Sequence, residues 1–313
     1  MIARQTRIRL NDLSKSFDDV KAVDHLSLDI YKGEIFGFLG PNGAGKTTTI
    51  QMICGLLKPD KGSIEYTSAS GSHISPEFED IGICPQENVI WPKLTCYEQM
   101  KFVARMHDMG TQKATERSRF LLQHLGLTQK SHSLASSLSG GMKRRLNICL
   151  ALVHDPQILI LDEPEAGLDP QSRIIVRTFI KSLAGEKTIL LTSHNMDEAD
   201  RLSDRVAIID QGKLLLVDSP LNLKKSIGEG DILEITIGQD ADIEVLKKEL
   251  SKLCKQVDVS GIHILLKSPN MVTIMPAIIN AFKQHNIKIK EINLRENTLE
   301  DVFIHLTGRK LRQ

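Results

Sequence analysis

Short apolar runs alternate with longer helical stretches along the first two-thirds of the chain. The apolar runs have the length and composition of buried strands, and the stretches between them have the pattern of helices. This alternation predicts an α/β domain with a largely parallel sheet, extending from Ile8 to about Asp218. The predicted buried strands cover residues 35–39, 158–161 and 188–192, and a helix is predicted to start near Lys46.

The strand pattern is absent between about residues 91 and 155. Apolar residues at helical spacing take its place, and they continue through this whole region. We therefore expect a helical insertion that projects from the sheet. The predicted helices of the insertion cover residues 96–107, 115–125 and 141–154.

The composition changes at residues 226–231, SIGEGD, which indicates a hinge. Strands and helices then follow in the order β-α-β-β-α-β, which is typical of a small ferredoxin-like fold. Pro276 lies inside a predicted helix of this tail, and we expect the regular helix to begin only near it. The chain is thus predicted to form two domains, residues 1–222 and 223–313. The predicted tail elements are strand 231–238, helix 241–254, strands 256–259 and 262–267, helix 271–284, strand 287–294 and helix 298–307.

The composition is that of a globular protein. Of the 313 residues, 41% are hydrophobic and 25% are charged, which excludes disordered and fibrous classes. Forty basic and thirty-nine acidic residues give a net charge of +1, so no global field attracts nucleic acid or an anionic membrane. The five cysteines form no C-x-x-C pair and indicate a reducing compartment. Because the sequence shows neither a signal peptide nor a membrane-spanning apolar run, we expect a cytosolic protein.

The segment Gly40-Pro-Asn-Gly-Ala-Gly-Lys-Thr47 matches the phosphate-loop pattern G-x-x-x-x-G-K-[ST]. It follows a predicted strand and precedes a predicted helix. Its glycines let backbone N–H groups curl around a polyphosphate, and the N-terminus of the helix adds a favourable dipole. Lys46 would reach the β- and γ-phosphates, and the Thr47 hydroxyl would ligate Mg²⁺. The alternative, a glycine-rich turn with a surface lysine, is disfavoured by this context.

Two carboxylates end the predicted strand 158–161. Asp162 and Glu163 would lie at the carboxyl end of a parallel strand, where open α/β sheets bind ligands. Asp162 would hold Mg²⁺ directly or through water, and Glu163 would polarise the attacking water as general base. These residues alone would more often mark a strand with a solvated end, but the phosphate loop in the same chain favours hydrolysis.

The segment Ser139-Gly140-Gly141 precedes a predicted helix and forms a second helix start suited to anions. One phosphate loop already serves one nucleotide. We therefore predict that this second element completes the nucleotide site of another copy of the chain.

As a set, these motifs resemble those of the nucleotide-binding subunits of ATP-binding cassette (ABC) transporters. The resemblance covers residues 8–222 and includes all of the family's motifs in their order. LSGGM matches the signature at residues 138–142, and Gln86 in ICPQENV matches the glutamine loop. Asp169 in AGLD matches the D-loop, and His194 in LTSHNMDEAD matches the switch histidine.

The resemblance implies hydrolysis of ATP with Mg²⁺ as cofactor. It also assigns roles residue by residue. Catalytic roles are implied for Glu163, His194 and Gln86, Mg²⁺ ligation for Thr47, Gln86 and Asp162, and contact with ATP for Phe17, Gly40, Pro41, Asn42, Gly43, Ala44, Gly45, Lys46, Thr47, Thr48, Ser139, Gly140, Gly141 and Asp169.

Phe17 matches a position of the family whose role is less specific, and Glu165 departs from the family. Phe17, in KSFDDVKAV, falls where the family places an aromatic ring that stacks on adenine, whereas alone it would be interpreted as a core residue. Glu165 departs from the family, which often has a small hydroxyl residue at this position. An added carboxylate near the dimer face would tune the site without abolishing activity, because Asp162 and Glu163 are intact.

Within the family, the sequence resembles the cytosolic subunits of ABC-2 type exporters, a group that includes drug and antibiotic efflux systems. The form LSGGMKRRL, the loop FGFLGPNGAGKTTT and the α+β tail carry this resemblance. It implies a head-to-tail nucleotide-sandwich dimer, formed with a second copy or with a paralogue. The dimer would sit on the inner face of the cell membrane and drive a separate transmembrane permease. We expect residues 87–97 to form a groove for a short helix of that permease, with a core position for Trp91 as the alternative.

The alternative function is that of a soluble ABC ATPase acting on nucleic acid or ribosomes. Such proteins typically carry two cassettes or a long coiled coil, and neither occurs in this sequence. The near-neutral charge offers no surface that would follow phosphates, so we expect no nucleic-acid partner. A purely regulatory ATP binder is disfavoured because Glu163 is present. The transported substrate is not predicted, since selectivity should lie in the membrane subunit.

Overall fold

The structure, a computed structural model, describes residues 5–67, 73–74, 81–227, 231–238 and 243–308. These residues divide into two compact units between Pro220 and Leu221. Residues 228–230 of the expected hinge and residues 241–242 of the expected tail helix lie outside the described residues. Among the helices that the structure describes, none is long and apolar enough to cross a membrane.

The first unit combines a strand-rich N-terminal part with alternating helices and strands. Its strands are β1 (Thr6–Phe17), β2 (Val20–Tyr31), β3 (Ile35–Leu39), β4 (Lys61–Thr67), β5 (His73–Ile74), β6 (Ile81–Cys84), β7 (Ile158–Asp162), β8 (Thr188–Ser193), β9 (Arg205–Asp210) and β10 (Lys213–Asp218). Its helices are α1 (Lys46–Ile53), α2 (Cys96–Met106), α3 (Thr111–His124), α4 (Gly140–Leu152), α5 (Pro170–Ser182) and α6 (Met196–Leu202).

A six-stranded sheet in the order β10-β9-β3-β8-β7-β6 forms the centre of the first unit. Strands β9, β3, β8, β7 and β6 run parallel, and β10 pairs antiparallel to β9. Every residue of β3, β7 and β8 is buried. Strands of a parallel sheet are covered on both faces, which explains their continuous apolar sequences. The predicted parallel α/β sheet is confirmed.

A second sheet in the order β2-β1-β4-β5 is antiparallel. One largely parallel sheet was expected over this region, and the separate antiparallel sheet corrects that expectation. Ile8 and Leu10 are buried whereas Arg9 is exposed. This alternation has the period of two that is typical of a strand with one buried face.

Helices α2, α3 and α4 occupy the region where an insertion was expected. They share a core that includes Met100, Leu121 and Leu146. Helix α3 begins at Thr111, earlier than the expected residue 115. Its first three residues, 111–113, are polar and exposed, and therefore add nothing to the apolar pattern from which the helix was predicted.

The second unit contains an antiparallel sheet in the order β12-β13-β11-β14, which is the strand order of a ferredoxin-like fold. Helices α8 and α9 share a buried core with this sheet. Helix α9 includes Pro276 in its interior, contrary to the expected later start. Met271 and Ile278 are fully buried on either side of the proline, and their packing outweighs one lost backbone hydrogen bond. The elements from Pro220 onward are α7 (Pro220–Ser226), β11 (Asp231–Ile237), α8 (Ile243–Leu253), β12 (Gln256–Ser260), β13 (His263–Ser268), α9 (Met271–Gln284), β14 (Ile289–Arg295) and α10 (Leu299–Thr307).

Candidate active site

Four parallel strands of the central sheet carry the candidate residues at their carboxyl ends. The phosphate loop follows β3, His194 follows β8, Glu163 follows β7, and Gln86 follows β6 after Pro85. The carboxyl ends of parallel strands lie at one edge of a sheet, the usual place of a ligand site. Because β7 lies between β8 and β6, Glu163 lies between His194 and Gln86.

The phosphate loop is held by close backbone packing. Gly45 directly precedes α1 with a φ of 97°, a left-handed conformation that favours glycine. A β-carbon at Gly45 would collide with the carbonyl of Ala22, and one at Gly40 would collide with the carbonyl of Ile209. The two glycines are therefore required by the contacts of the loop with β2 and β9.

Lys46 is buried at the start of α1. Its ammonium donates hydrogen bonds to the carbonyl oxygens of Gly40 at 2.7 Å and Pro41 at 3.0 Å. Burial lowers the pKa of Lys46, and the negative charges of Glu163 and Asp162 partly oppose this effect. The loop thus holds a desolvated cation beside two carboxylates, an arrangement suited to the phosphates of a metal-bound nucleotide.

Glu163 has a left-handed φ of 51°, which is rare for a residue with a side chain. Its backbone N–H donates to two oxygens of Thr192. The distance is 3.2 Å to the carbonyl oxygen and 3.1 Å to Oγ1. One carboxylate oxygen accepts from Gln86 Nε2 at 2.9 Å, and the other contacts His194 Nδ1 at 2.7 Å. The structure therefore brings the three predicted catalytic residues into direct contact.

Asp162 is buried, and one of its carboxylate oxygens accepts a hydrogen bond from the Thr192 hydroxyl. No group of three or more His, Cys, Asp and Glu within the described part of the chain could hold a metal alone. Mg²⁺ usually binds through one or two carboxylates together with phosphates and waters. Asp162, the Thr47 hydroxyl and the Gln86 amide oxygen are hard oxygen donors, so they fit Mg²⁺ that arrives with phosphates.

The signature segment begins α4. The Ser139 hydroxyl accepts from the backbone N–H of Met142 at 3.3 Å, and both Ser139 and Gly140 are exposed. Gly141 is buried, and a β-carbon there would lie 3.0 Å from Asp169 Oδ1. Glycine at this position thus allows the signature helix to pack against the D-loop residue Asp169 of the same chain.

Phe17 ends β1 and is 48% exposed, which disfavours its interpretation as a core residue. The Lys15 ammonium lies 5.8 Å from the centre of its ring. Ala22 in the next strand contacts the phosphate loop at Gly45. The exposed ring of Phe17 fits the predicted stacking on adenine.

Glu165 is buried and belongs to a charged network that the sequence analysis missed. Its carboxylate pairs with the Arg177 guanidinium through two hydrogen bonds, of 2.9 and 2.6 Å. Its backbone N–H donates to the Glu198 carboxylate at 3.1 Å. With Glu163 and His194, these residues line a pocket of about 280 Å³. Glu198 belongs to the polar stretch NMDEAD, which looks like a solvated surface in the sequence.

Trp91 is 39% exposed and packs edge-on against Phe102, with 5.3 Å between the ring centres. Its backbone N–H donates to the side chain of the buried Gln99 at 2.9 Å. Val89 and Met106 are also exposed. These four side chains, Val89, Trp91, Phe102 and Met106, are exposed and apolar, and we call them the Trp91 surface.

Arg144 is a further residue that the sequence analysis did not identify. It follows the signature in the run KRR, which has the appearance of a solvated helix face. The structure buries its side chain and directs its guanidinium to the loops after β6 and β7.

The chain is similar to known proteins over most of its length. A family model described as ABC transporter matches residues 23–166. The chain is 35% identical to the linearmycin resistance ATP-binding protein of Bacillus subtilis (strain 168), over 97% of this chain and 99% of that protein. It is 36% identical to the Nod factor export ATP-binding protein I of Burkholderia lata, over 97% and 98%. The solved structure of an ATP-binding subunit of an ABC transporter matches with a TM-score of 0.64 and 25% identity, covering 71% of this chain and 93% of that one.

Proposed function

The chain belongs to the family of ABC transporter ATP-binding proteins, and on this premise we propose that it powers an exporter by hydrolysing ATP. The position of Glu163, in contact with Gln86 and His194 at the same sheet edge as the phosphate loop, carries the proposal. Likeness over nearly the whole chain to linearmycin resistance and Nod factor export ATP-binding proteins supports export as the direction of transport.

Binding of ATP would begin at the phosphate loop. The backbone N–H groups at the start of α1 and the Lys46 ammonium would hold the phosphates. Lys46 would exchange its present partners, the uncharged carbonyls of Gly40 and Pro41, for charged phosphate oxygens. Phe17 would offer its exposed ring face to adenine.

Mg²⁺ would be held by Asp162, Thr47 and Gln86, and when bound it would neutralise charge that develops on the phosphates. Glu163 would orient the attacking water and accept its proton on a carboxylate oxygen. Each oxygen of Glu163 engages one partner, Gln86 or His194, and has a second lone pair that can accept a hydrogen bond from the water. If His194 leaves Glu163, it would donate a hydrogen bond to the phosphate undergoing transfer.

We further propose that two chains, identical or paralogous, form a head-to-tail dimer around two nucleotides. The exposed Ser139 and Gly140 would close on ATP held by Lys46 of the partner. The dimer would bind a transmembrane permease of the ABC-2 type at the cytoplasmic face of the membrane. Residues 223–313 would form an accessory domain.

Two variants test the hydrolytic mechanism. Lys46→Ala should weaken ATP binding, because the phosphates lose a charged hydrogen-bond partner. Glu163→Gln should retain ATP binding but lose about 10²- to 10⁴-fold in kcat, because only the base is removed. Binding is measured by titration with a fluorescent ATP analogue, and hydrolysis by release of phosphate with and without Mg²⁺.

Lys58→Ala and Glu186→Gln serve as matched controls, because both side chains are exposed. We expect both controls to bind and hydrolyse ATP like the unaltered protein. If Glu163→Gln retains the kcat of the unaltered protein, Glu163 is not the general base.

A further inference from the structure

Arg144 has an unusual environment for a charged side chain. It lies in the second turn of α4 and is 3% exposed. Its guanidinium donates to the backbone carbonyls of Pro85 and Gln86 on one side, the latter at 3.1 Å. On the other side it donates to the carbonyls of Asp162, Glu163 and Pro164, the latter two at 3.0 and 3.4 Å. All five acceptors are uncharged.

These acceptors belong to the two loops that carry the site. Gln86 supplies its side chain to Glu163 from the loop after β6, and Glu163 lies in the loop after β7. Loop carbonyls lack the regular partners of a sheet and require other donors when buried. The planar guanidinium, with five donors in a fixed geometry, can serve both loops at once.

The backbone of Glu163 needs this support. Its left-handed φ of 51° is maintained only when surrounding contacts determine it. Thr192 holds its N–H group, and Arg144 holds its carbonyl group. The peptide that orients the carboxylate is therefore fixed from β8 and from α4.

We propose that Arg144 is a positioning residue for hydrolysis. Its side chain sets the distance between Gln86 and Glu163 and connects both residues to α4, which Ser139 caps. The inference rests on the proposed role of Glu163 as general base. Arg144 hydrogen-bonds to the backbone carbonyl groups, whereas the Glu163 carboxylate is contacted by Gln86 and His194. Its effect is thus on the placement of the base.

Arg144→Lys tests the proposal, because lysine keeps the charge but lacks the fork that joins the two loops. A small misplacement of a catalytic group can reduce the rate about 100-fold, so we expect kcat to fall by about that factor. The KM for ATP should stay within about twofold, because the hydrogen bonds of Arg144 go to the backbone near Gln86 and Glu163, whereas Lys46 is held within the phosphate loop.

Arg145→Lys is the matched control. Arg145 is the adjacent residue, is also buried, and donates to the carbonyls of Leu125 at 2.8 Å and Gly126 at 3.4 Å, away from the two loops. It should lose thermal stability to a similar extent and keep the kcat of the unaltered protein. Equal loss of kcat in the two variants would show general damage to α4 and overturn the proposal.

Three further outcomes complete the test. An unchanged kcat in a folded Arg144→Lys protein, or a rise in KM without a fall in kcat, also overturns the proposal. If Arg144→Lys does not fold, Arg144→Gln, whose amide can donate to one loop, must show the same separation of kcat from KM. Glu163→Gln distinguishes failure of the proposal for Arg144 from failure of the proposed function. The kcat of Glu163→Gln falls only if Glu163 is the base.

Discussion

Glu198 carries a carboxyl group whose pKa lies close to neutral pH. Burial raises this pKa to about 7, and the negative charges of Glu165 and Glu163 add to the rise. Hydrogen bonds from the Ser193 hydroxyl, at 2.6 Å, and from the backbone of Glu165 oppose it. In the unfolded chain the same group should titrate near its ordinary value of 4.5.

The sign of the pH effect follows from these two values. Between about pH 4.5 and 7 the folded protein retains a proton that the unfolded chain has lost, so folding stability falls as the pH rises. The loss is on the order of 3 kcal/mol once the pH exceeds both values. Glu198→Gln cannot ionise, so it should gain stability relative to the unaltered protein between about pH 5 and 8.

Urea unfolding across this pH range measures the difference. Asp197→Asn is the control, because Asp197 is an exposed neighbour in the same helix. Its stability should follow that of the unaltered protein at every pH. If the stability of Glu198→Gln changes with pH in parallel with that of the unaltered protein, folding does not raise the pKa of Glu198.

Single residues were predictable where a short motif defines them. Lys46 and Thr47 belong to a contiguous pattern, and Asp162 and Glu163 end an apolar strand. Arg144 and Glu198 were missed because their partners lie far away in the sequence or their surroundings look solvated. The Arg144 side chain joins residues 85–86 to residues 162–164, and nothing in the run KRR indicates this.

At the scale of elements, α2 and the segment that precedes it present the Trp91 surface. Trp91 and Phe102 pack together but remain exposed, so the alternative of a core position for Trp91 is disfavoured. Exposed apolar patches often mark sites of protein interaction. The surface begins close to Gln86, which contacts Glu163 directly. We propose that this surface binds a short helix of the permease.

Trp91→Ala should leave the ATPase rate of the isolated subunit within about twofold of the unaltered rate. It should weaken assembly with the permease by about 10- to 100-fold, because aromatic side chains contribute much of the binding free energy at interfaces. Export should be lost as a consequence. Assembly is measured by co-purification from membranes, and the bound membrane protein is identified in the same sample.

Phe120→Ala is the matched control for Trp91→Ala. Phe120 is an exposed aromatic residue on α3 and lies outside the Trp91 surface. It should assemble normally. Unchanged assembly of Trp91→Ala, or a protein that fails to fold, would contradict an interface role for Trp91.

Elements were predictable where one periodicity dominates. The buried runs at β3, β7 and β8 were assigned within one residue, because continuous apolar sequence is typical of parallel strands covered on both faces. The long antiparallel strands β1 and β2 were not assigned to a sheet of their own. Their register contains several shifts that interrupt the alternation of apolar and polar residues.

At the scale of the whole molecule, the proposed dimer requires two chains for each complete site. A mixture of Ser139→Arg and Lys46→Ala chains should regain activity, because a mixed dimer contains one site with both residues intact. Random pairing of a two-fold dimer would restore about a quarter of the unaltered rate. Phosphate release is measured after subunit exchange, and crosslinking verifies that mixed dimers are present.

A mixture of Lys46→Ala and Glu163→Gln chains is the control for this experiment. In the proposed dimer both residues would serve the nucleotide site of their own chain, so no mixed dimer should contain an intact site. Recovery only in the first mixture supports action of Ser139 in trans. Equal inactivity of both mixtures, with mixed dimers verified, would contradict independent sites completed by the partner.

The strand order that assembles the site was not predictable from the sequence. Parallel strands and their carboxyl ends were expected, but several orders satisfy the connection rules. The observed order places β7 between β8 and β6, and it is this order that brings His194 and Gln86 to opposite sides of Glu163. Such neighbours are set by packing across the whole sheet rather than by local pattern.

The same order has a consequence for synthesis of the chain on the ribosome. Strand β3 pairs with β8 and β9, whose residues are made long after it. A strand without its partners gains little from early folding, because closing so long a loop costs entropy before any contact forms. The apolar residues 35–39 therefore remain unpaired, and need protection from aggregation, until most of the first unit has emerged from the ribosome. The phosphate loop is translated early but acquires its shape late.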